Sequence, residues 1–479
     1  METKKYVAPR ETWRFRPAER RVILVLGDFI VSIISLSIGL YLWGIGDNWL
    51  GFSVQFLRLR VPEWFFFLPV IWMILLLDLY DVHRAGEWRT TIKGVGTATL
   101  IGFGVYLLIF FAVTDNPKAM IPRRGAAGFF IAASLLTLGW RFLFLRYLAT
   151  QNFMMRRVLM VGAGYTGRMM LQVMNSVNPP PFHLVGIIDD DPEKINNVLE
   201  NCPVLGNSEC LLDVVIQERV TDILVSILGE VRGQMFQSLL DAQEMGVEII
   251  NMPSVYEELL NRVPIQHLDA NWIIRSFGEE ARVSLFYQLA KRLLDIAGGL
   301  AGTLFLVLLF PFVAIAILID NGLPIFYRQV RSGHGGKPYY MFKFRTMRKD
   351  AEADGSPKWA EENDDRVTRI GKILRKTHID EVPQFINVLR GEMSLVGPRS
   401  ERPELVESLQ KTIPFYRARL LVKPGITGWA QLNYGYVATV KETMVKLEYD
   451  LYYIKHRNLW LDIIILLRTP WTVLGFRGR

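Results

Sequence analysis

Four long apolar stretches in the first third of the sequence constrain the fold more than any other feature. About 20 helical residues are needed to cross the hydrocarbon core of a bilayer; three stretches reach that length and the second needs its flanks. Hydrophobic residues make up 51% of the chain, too large a share for an ordinary soluble protein. Residues 1–156 are therefore predicted to form four transmembrane helices at Val22–Trp43, Trp64–Tyr80, Val95–Thr114 and Gly125–Ala149.

Charged residues around these stretches predict their orientation. Basic residues lie in the loop with Arg84 and Arg89 and at the exit near Arg156, which the positive-inside rule places in the cytoplasm. Because no small-residue cleavage site follows the first stretch, we expect an uncleaved anchor. Asp28 and Arg141 lie within the first and last stretches, and both are expected to reach towards an interface rather than remain inside.

Residues 157–283 are predicted to form a separate domain. Within it, residues 157–252 alternate helix patterns with four strand patterns, RVLMV, HLVGIIDDD, DILVSI and VEIINM, as a parallel sheet covered by helices does. The strand pattern RVLMV leads into Gly162-x-Gly164-x-x-Gly167, and Asp189 ends the next strand pattern. In this context the glycine turn binds the diphosphate of a dinucleotide or nucleotide sugar, and the acid contacts a ribose. Gly162, Gly164, Gly167 and Asp189 are thus predicted to bind a cofactor. The alternative is a Rossmann-like scaffold that binds no ligand.

The charge of the chain changes sign along its length. Residues 158–283 contain 7 Lys/Arg and 18 Asp/Glu, whereas the regions on both sides are basic. Basic regions favour anionic lipid headgroups or phosphorylated substrates, and no nucleic-acid-binding motif accompanies them. We therefore predict no nucleic-acid partner. The two cysteines, Cys202 and Cys210, form no disulfide framework and suit a reducing compartment.

A fifth apolar stretch, Ile296–Ile319, has basic flanks on both sides, including Lys291 and Lys337. Both flanks can be cytoplasmic only if the segment turns back. Pro311 lies inside it, and a proline removes a backbone donor and kinks a helix. We predict a re-entrant membrane helix at about 293–320; the alternative is a proline-kinked span.

Two adjacent acids, Asp380 and Glu381, lie within HIDEVPQFINVLRGEMSLVGPR. Pro383 is favoured in the first turn of a helix, so a helix is predicted to begin near Asp380. At such a terminus Asp380 stays ionised beside a bound phosphate and is a competent nucleophile, while Glu381 can hold magnesium. The alternative is a helix-capping aspartate followed by a solvated glutamate.

Four cations favour the catalytic interpretation of this pair. The strand pattern YYMFKFRTM places Lys343 and Arg345 on one face, Arg375 precedes Asp380, and Arg399 follows in a Gly-Pro-Arg loop. Because guanidinium groups bind phosphate oxygens in pairs, this set predicts a diphosphate site.

Three segments of the chain closely resemble the bacterial sugar transferase family in the order and the residues of their motifs: KFRTM, DDRVTRIGKILRKTHIDEVPQFINVLRGEMSLVGPR and VKPGITGWAQLNYG. The resemblance covers residues 284–479, and the whole layout is similar to the long form of this family. It implies an α/β membrane protein: four spans, a Rossmann-like (CoA-binding-like) domain, then a re-entrant helix with a small catalytic domain. DGSPKWA and ERPE resemble the exopolysaccharide branch.

The resemblance implies a polyprenyl-phosphate hexose-1-phosphate transferase of the bacterial inner membrane. Its substrates are a UDP-hexose, most simply glucose or galactose, and undecaprenyl phosphate; its cofactor is Mg²⁺, and its catalytic domain is at the cytoplasmic face. Asp380 is implied as nucleophile, Glu381 as magnesium ligand and Pro311 as the membrane-breaking proline. We also expect a homodimer. The implied substrate-binding residues are Lys343, Arg345, Arg375, Gln384 and Arg399.

Two departures and two rival functions remain. The family's SLDELPQ reads HIDEVPQ here, and its GPRPE reads GPRSE, so Ser400 is expected to loosen the loop that holds Arg399.

Tyr287 and Lys291 have the Tyr-x-x-x-Lys spacing of nucleotide-sugar epimerases, but they lie beyond the strand patterns, so we interpret the match as coincidence. The non-enzymatic rival is a membrane-anchored nucleotide-sugar-binding scaffold or sensor of a polysaccharide complex.

Overall fold

The chain divides into two compact units between Leu259 and Leu260. This boundary lies upstream of the predicted one at 283, because Val263 and Ile265 are buried in the hydrophobic core of the second unit. Arg84 and the DGSPKWA segment lie outside the described residues. The computed structural model describes residues 17–80, 87–112, 123–149, 155–177, 179–231, 233–267, 276–277, 283–348, 365–435 and 439–474.

The first unit begins with helices α1 (Pro17–Ile45), α2 (Val54–Leu59), α3 (Leu68–Leu75), α4 (Trp88–Ala112) and α5 (Arg123–Leu143). Three of them, α1, α4 and α5, are long and apolar enough to cross a membrane. The predicted second span is instead broken into short pieces, with 3-10 turns at Glu63–Phe67 and Leu77–Tyr80 on either side of α3. Pro69 lies in the first turn of α3, the position where a proline without an N–H is tolerated.

Asp28 and Arg141 are both fully buried, so the expectation that they reach an interface is wrong. Nη2 of Arg141, on α5, donates a hydrogen bond to Oδ2 of Asp28, on α1, at 2.7 Å. Nη1 of the same arginine donates to the carbonyl of Leu79 at 3.0 Å. The helices approach closely at Gly27, where a Cβ atom would lie 2.0 Å from the Trp140 ring. The two opposite charges neutralise each other between helices, so neither has to reach water.

The rest of the first unit is a six-stranded sheet with the order β3-β4-β2-β1-β5-β6, parallel except for β3 against β4. The four predicted strands are confirmed as β1, β2, β5 and β6. Its elements are β1 (Arg157–Val161), α6 (Tyr165–Ser176), β2 (His183–Ile188), β3 (Val198–Leu199), β4 (Cys202–Gly206), α7 (Leu211–Gln217), β5 (Asp222–Val225), α8 (Gly233–Glu244), β6 (Glu248–Asn251) and α9 (Met252–Leu260).

The second unit packs small two-stranded sheets, β7 with β8 and β9 with β10, among helices. Its elements are α10 (Leu285–Asn321), β7 (Phe326–Ser332), β8 (Pro338–Phe344), α11 (Arg369–Lys376), α12 (Gln384–Arg390), β9 (Ser394–Val396), α13 (Pro403–Thr412), β10 (Gly425–Thr427), α14 (Trp429–Asn433), α15 (Val440–His456) and α16 (Leu459–Leu474). Its 3-10 turns include Ile379–Glu381 and Tyr416–Leu421.

Helix α10 is 37 residues long and continues through Pro311 as a single helix, rather than breaking there. One stripe of α10 contacts its own unit from end to end. Lys291 Nζ lies 3.0 Å from Asp462 Oδ2 near the start, and the Asn321 side chain donates to the Met347 carbonyl at 2.9 Å at the far end. The remaining faces expose large apolar side chains: Leu285, Phe286, Leu289, Leu293, Leu300, Leu304, Phe305, Val307, Leu308, Phe312, Ile315, Leu318 and Ile319.

Candidate active site

The two adjacent acids lie in a 3-10 turn between α11 and α12. His378 has a left-handed backbone (φ +56°), which reverses the chain after α11 and starts this turn. The predicted helix therefore begins at Gln384, and Pro383 stands immediately before it. Asp380 is buried, at 7% exposure, and the Glu381 side chain is 12% exposed. The turn directs these neighbouring carboxyl groups into one charged cluster, which mid-helix residues 100° apart could not form readily.

Glu381 is held by two of the predicted cations. Its Oε1 atom accepts from Lys343 Nζ at 2.7 Å and from Arg399 Nη2 at 2.6 Å. Burial acts to raise the pKa of Glu381, but Arg399 and Lys343 outweigh burial and hold that pKa well below its ordinary value. The same pairing raises the pKa of Arg399. Glu381 is consequently a fixed negative charge at neutral pH.

Asp380 differs from its neighbour, because burial raises its pKa above the ordinary value. Lys343 opposes this rise and the negative Glu381 adds to it, while Arg375 and Arg399 also act to lower the pKa. The expectation that a helix terminus alone keeps Asp380 ionised is thus incomplete. Two adjacent acids with pKa values displaced in opposite directions are a typical arrangement at sites where carboxyl groups have different roles.

The other predicted substrate-binding residues are distributed around this pair. Arg375 donates Nε to the Thr346 hydroxyl at 2.9 Å, and Gln384 is buried at the start of α12. Arg345 lies just beyond the end of β8, so the predicted alternation with Lys343 ends before it. Its guanidinium donates to the Asn321 carbonyl at 2.6 Å at the end of α10, and its Nε and Nη1 atoms are buried without a hydrogen-bond partner. The structure therefore places Arg345 at the end of α10 rather than in the ion pairs of Glu381.

Asn387 is a residue of this site that the sequence interpretation missed. It is fully buried on α12, accepts from the Phe342 N–H at 3.1 Å and donates to the Tyr340 carbonyl at 2.7 Å. Both partners are on β8, so Asn387 fixes the strand that carries Lys343 against the helix that follows the acids. The available signal was a polar residue in the otherwise apolar run FINVL.

The loop that carries Arg399 is held by the buried Arg419 and the partly buried Arg331. Arg419 donates to the Arg399 carbonyl at 2.9 Å, and Arg331 donates to the Ser400 carbonyl at 3.3 Å. Arg419 also pairs with Asp450 at 2.8 Å. Because these bonds fix the backbone, a serine at 400 in place of proline does not leave the loop without support.

The Tyr-x-x-x-Lys pair belongs to a different network. The Tyr287 hydroxyl and Lys291 Nζ both lie 3.0 Å from Oδ2 of Asp462, and Lys291 also donates to the Tyr453 hydroxyl at 3.1 Å. These contacts fasten the start of α10 to α15 and α16 within the second unit. They give both residues a structural role, in agreement with the interpretation of their spacing as coincidence.

The glycine turn forms a second candidate site, in the first unit. A cavity of about 460 Å³ lies at the carboxyl ends of β1, β2 and β5, and Gly162, Gly164 and Asp189 line it. Gly162 has φ +104°, and a Cβ atom on Gly167 would lie 2.1 Å from the Gly162 carbonyl oxygen. Asp189 accepts from the Ala163 N–H at 2.6 Å. The predicted residues are thus brought together at the point where the strand order reverses.

Two family models match this chain. The bacterial sugar transferase model matches residues 286–476, which include the acids and all four predicted cations. The CoA-binding domain model matches residues 75–253, which include the glycine turn.

Curated relatives match over long segments. UDP-glucose:undecaprenyl-phosphate glucose-1-phosphate transferase from Xanthomonas campestris pv. campestris is 31% identical over 425 residues, 85% of each chain. The protein with the same name from Escherichia coli (strain K12) is 30% identical, covering 67% of this chain and 68% of that protein. UDP-N-acetylgalactosamine-undecaprenyl-phosphate N-acetylgalactosaminephosphotransferase from Aeromonas hydrophila is 40% identical over 235 residues, 49% of this chain and 54% of that protein.

Proposed function

Because this chain belongs to the bacterial sugar transferase family, we propose that it transfers a hexose 1-phosphate from a UDP-hexose to undecaprenyl phosphate. The products are UMP and undecaprenyl-diphosphate-hexose, the first lipid-linked intermediate of an exopolysaccharide or O-antigen. The observation that carries the proposal is the buried acid pair, in which Glu381 is fixed by two cations and Asp380 has a raised pKa.

In the proposed mechanism, the Asp380 carboxylate attacks the β-phosphorus of the UDP-hexose. The bond from that phosphorus to the bridging oxygen breaks, UMP leaves, and the hexose phosphate remains on Asp380. A phosphate oxygen of undecaprenyl phosphate then attacks the same phosphorus and releases the Asp380 carboxylate. Two displacements allow a soluble donor and a lipid acceptor to react in turn at one site. Lys343 and Arg399 stabilise the diphosphate charge.

Magnesium is part of this proposal. No group of three or more His, Cys, Asp or Glu side chains suited to a metal ion occurs among the residues that the structure describes. The ion would then be held by Glu381, with Asp380 nearby, and by diphosphate oxygens, which is a usual arrangement for Mg²⁺. When bound there, it neutralises the diphosphate and assists the UMP leaving group. Lys343 and Arg399 make their close hydrogen bonds to Oε1 of Glu381, whereas Oε2 has a longer one, to Arg399 Nη1 at 3.4 Å, so Oε2 would be the oxygen offered to the ion.

The proposal extends to the membrane. We infer that α10 is re-entrant in the sense that it dips into the cytoplasmic leaflet without crossing the bilayer, so that both its ends lie at the cytoplasmic face of the inner membrane, where UDP-sugars are made. About 51 Å of helix separates its contacts near Tyr287 and Asn321, whereas the hydrocarbon core is about 30 Å thick. If α10 crossed the bilayer perpendicularly, the second unit would have to contact both ends of the helix, on opposite sides of the hydrocarbon core. The exposed apolar faces of α10 are suited to lipid.

The nucleophile is tested with Asp380→Asn, which keeps the shape of the side chain and removes its nucleophilicity. We expect UMP release to be lost while membrane insertion and thermal unfolding stay unchanged. Glu381→Gln tests the charge beside it and should reduce release without abolishing binding of the UDP-hexose. More than a trace of UMP release by purified Asp380→Asn would exclude the covalent mechanism, and the absence of UMP release by the purified wild-type protein would favour a scaffold or sensor.

The hexose is tested with UDP-glucose, UDP-galactose and UDP-N-acetylgalactosamine, since the names of the relatives differ in the sugar. Each donor is supplied with undecaprenyl phosphate in nanodiscs, and UMP release is measured. One donor should give clearly faster turnover. The same preparations, analysed for mass in solution, test the proposed homodimer.

Topology is tested by labelling single cysteines with a membrane-impermeant reagent in intact spheroplasts. The background carries Cys202→Ala and Cys210→Ala, and the new cysteines replace Ser284 and Gly322, which flank α10. Both positions should remain unlabelled until the membrane is opened. Labelling of position 322 alone in intact cells would mean that α10 crosses the bilayer.

A further inference from the structure

The glycine at position 164, which lines the cavity beside the glycine turn, is required neither by backbone geometry nor by packing. Gly164 has φ −82° and ψ −163°, a conformation open to any residue, and a Cβ atom there would meet nothing within 4 Å. Gly162 and Gly167, in contrast, are required by a positive φ and by a close backbone approach. The missing side chain at Gly164 therefore leaves open space at the start of α6.

The open space adjoins a helix terminus suited to an anion. Helix α6 has 12 residues, and its N-cap residue Gly164 makes no side-chain capping bond. The N–H groups of the first helical turn have no acceptor within a helix, and the dipole is positive at this end. Tyr165 and Thr166, in that first turn, line the cavity. A phosphate group is the ligand such a terminus receives best.

Ser226 provides an independent sign that the cavity takes a ligand. It directly follows β5, is 2% exposed and lines the cavity, yet its Oγ atom has no hydrogen-bond partner. Buried hydroxyl groups are normally bonded, so this hydroxyl is available to a polar group that enters the cavity.

The charges of the lining restrict the chemistry of that ligand. Among the lining residues that the structure describes, Asp189, Asp190 and Glu230 accompany one lysine, Lys194, whose Nζ lies 3.4 Å from Asp189. Asp189 accepts from two backbone N–H groups, of Ala163 and Asp191, and a carboxylate retains acceptor capacity beyond these bonds. An acid at the end of the second strand bonds a ribose hydroxyl in folds of this type. The same carboxylates repel a ribose that carries a phosphate of its own.

We propose that this cavity binds a nucleoside diphosphate ester whose ribose 2′- and 3′-hydroxyl groups carry no phosphate, as in NAD⁺ or a UDP-hexose. The diphosphate occupies the space at Gly164, the ribose diol bonds Asp189, and Ser226 bonds a polar atom of the ligand. A cavity of about 460 Å³ is of ordinary size for a small-molecule site. CoA and NADP⁺ carry a phosphate on the ribose and are excluded, despite the CoA-binding name of the matching family model.

The test measures binding to the full-length chain in nanodiscs by calorimetry, with NAD⁺, UDP-glucose, NADP⁺ and CoA as probes. Gly164→Ala places a methyl group in the diphosphate space without strain and should weaken binding at least about tenfold. Gly96→Ala is the matched control, because a Cβ atom at this α4 glycine also meets nothing within 4 Å. Ser226→Ala should weaken binding by a smaller factor, and the exposed Ser176→Ala should leave it unchanged.

If the proposed reaction is correct, UDP-glucose also binds at the candidate active site. Only the component of the measured binding that Gly164→Ala removes is therefore assigned to the cavity. Loss of that component for NAD⁺, for UDP-glucose or for both supports the proposal and identifies the source of the nucleotide. Absence of any such component at millimolar concentration overturns it, and so does equal binding of CoA or NADP⁺. UMP release is measured separately, which distinguishes failure here from failure of the catalytic proposal.

Discussion

Replacing Arg419 by methionine tests how the loop of Arg399 is held. Arg419 and Asp450 are 4% and 2% exposed, and their charged groups lie 2.8 Å apart. The methionine fills part of the space but leaves Asp450 buried without this partner. Removing one side of a buried ion pair costs about 3–5 kcal/mol, so Arg419→Met should lower the free energy of unfolding by that amount.

The same change should also reduce UMP release, because the Arg399 carbonyl loses its donor. The double variant Arg419→Met/Asp450→Leu separates the two effects. Exchanging both charges for apolar groups is often nearly neutral, so most of the stability should return. The donor to the Arg399 carbonyl is still missing, so the rate should stay low.

Unfolding in denaturant and UMP release are measured on the same preparations. Arg417→Met is the control, since Arg417 lies on the same 3-10 turn but is exposed. Wild-type activity in the double variant would show that Arg419 does not position Arg399. Wild-type stability in the single variant would contradict the energetic argument.

Three further outcomes are expected. UMP release should rise with pH through the raised pKa of Asp380, because in the proposed mechanism only its carboxylate attacks. Lys343→Met should move this acidic limb of the pH–rate profile to higher pH, and a limb that stays in place would exclude Lys343 as the charge that lowers the Asp380 pKa. Gly302→Leu should cost at least about 1–3 kcal/mol in unfolding experiments, since a Cβ atom there already lies 2.2 Å from an aromatic ring, and an unchanged midpoint would contradict the close packing of α10. Asp28→Asn should destabilise the first unit by about 3–5 kcal/mol, because it leaves Arg141 buried without its ion-pair partner, and Asp28→Asn/Arg141→Gln should destabilise it by less. Thermal unfolding in detergent measures both, and equal losses of stability in the single and double variants would exclude coupling of Asp28 and Arg141.

The sequence predicted those features that depend on local pattern. RVLMV and its glycine turn became β1 followed by α6, because strand propensity and turn chemistry act over neighbouring residues. The pairing of Lys343 and Arg399 with Glu381 was not a local pattern, but the motifs placed all three residues in one predicted site.

Features that depend on two distant segments could not be predicted in the same way. In the sequence, Asp28 and Arg141 are each an isolated charge in an apolar stretch, which is expected to reach water. Only the packing of α1 against α5 brings the two side chains together as an ion pair. Arg345 belongs to a strand pattern in the sequence, but β8 ends one residue before it, and its guanidinium bonds the end of α10 instead. Asn387 has no periodic signal that identifies it as the link to β8.

The contacts along α10 also make the length of this segment part of the geometry of the candidate active site. A helix that only anchors a protein tolerates insertions, because lipid contacts on all sides are equivalent. Here Gly302 near the middle and Asn321 at the end must both meet the same unit. Deleting one residue between them rotates one contact by about 100° and shifts it by about 1.5 Å relative to the other. Single-residue deletions in this interval should therefore be more damaging than most substitutions on its exposed apolar faces.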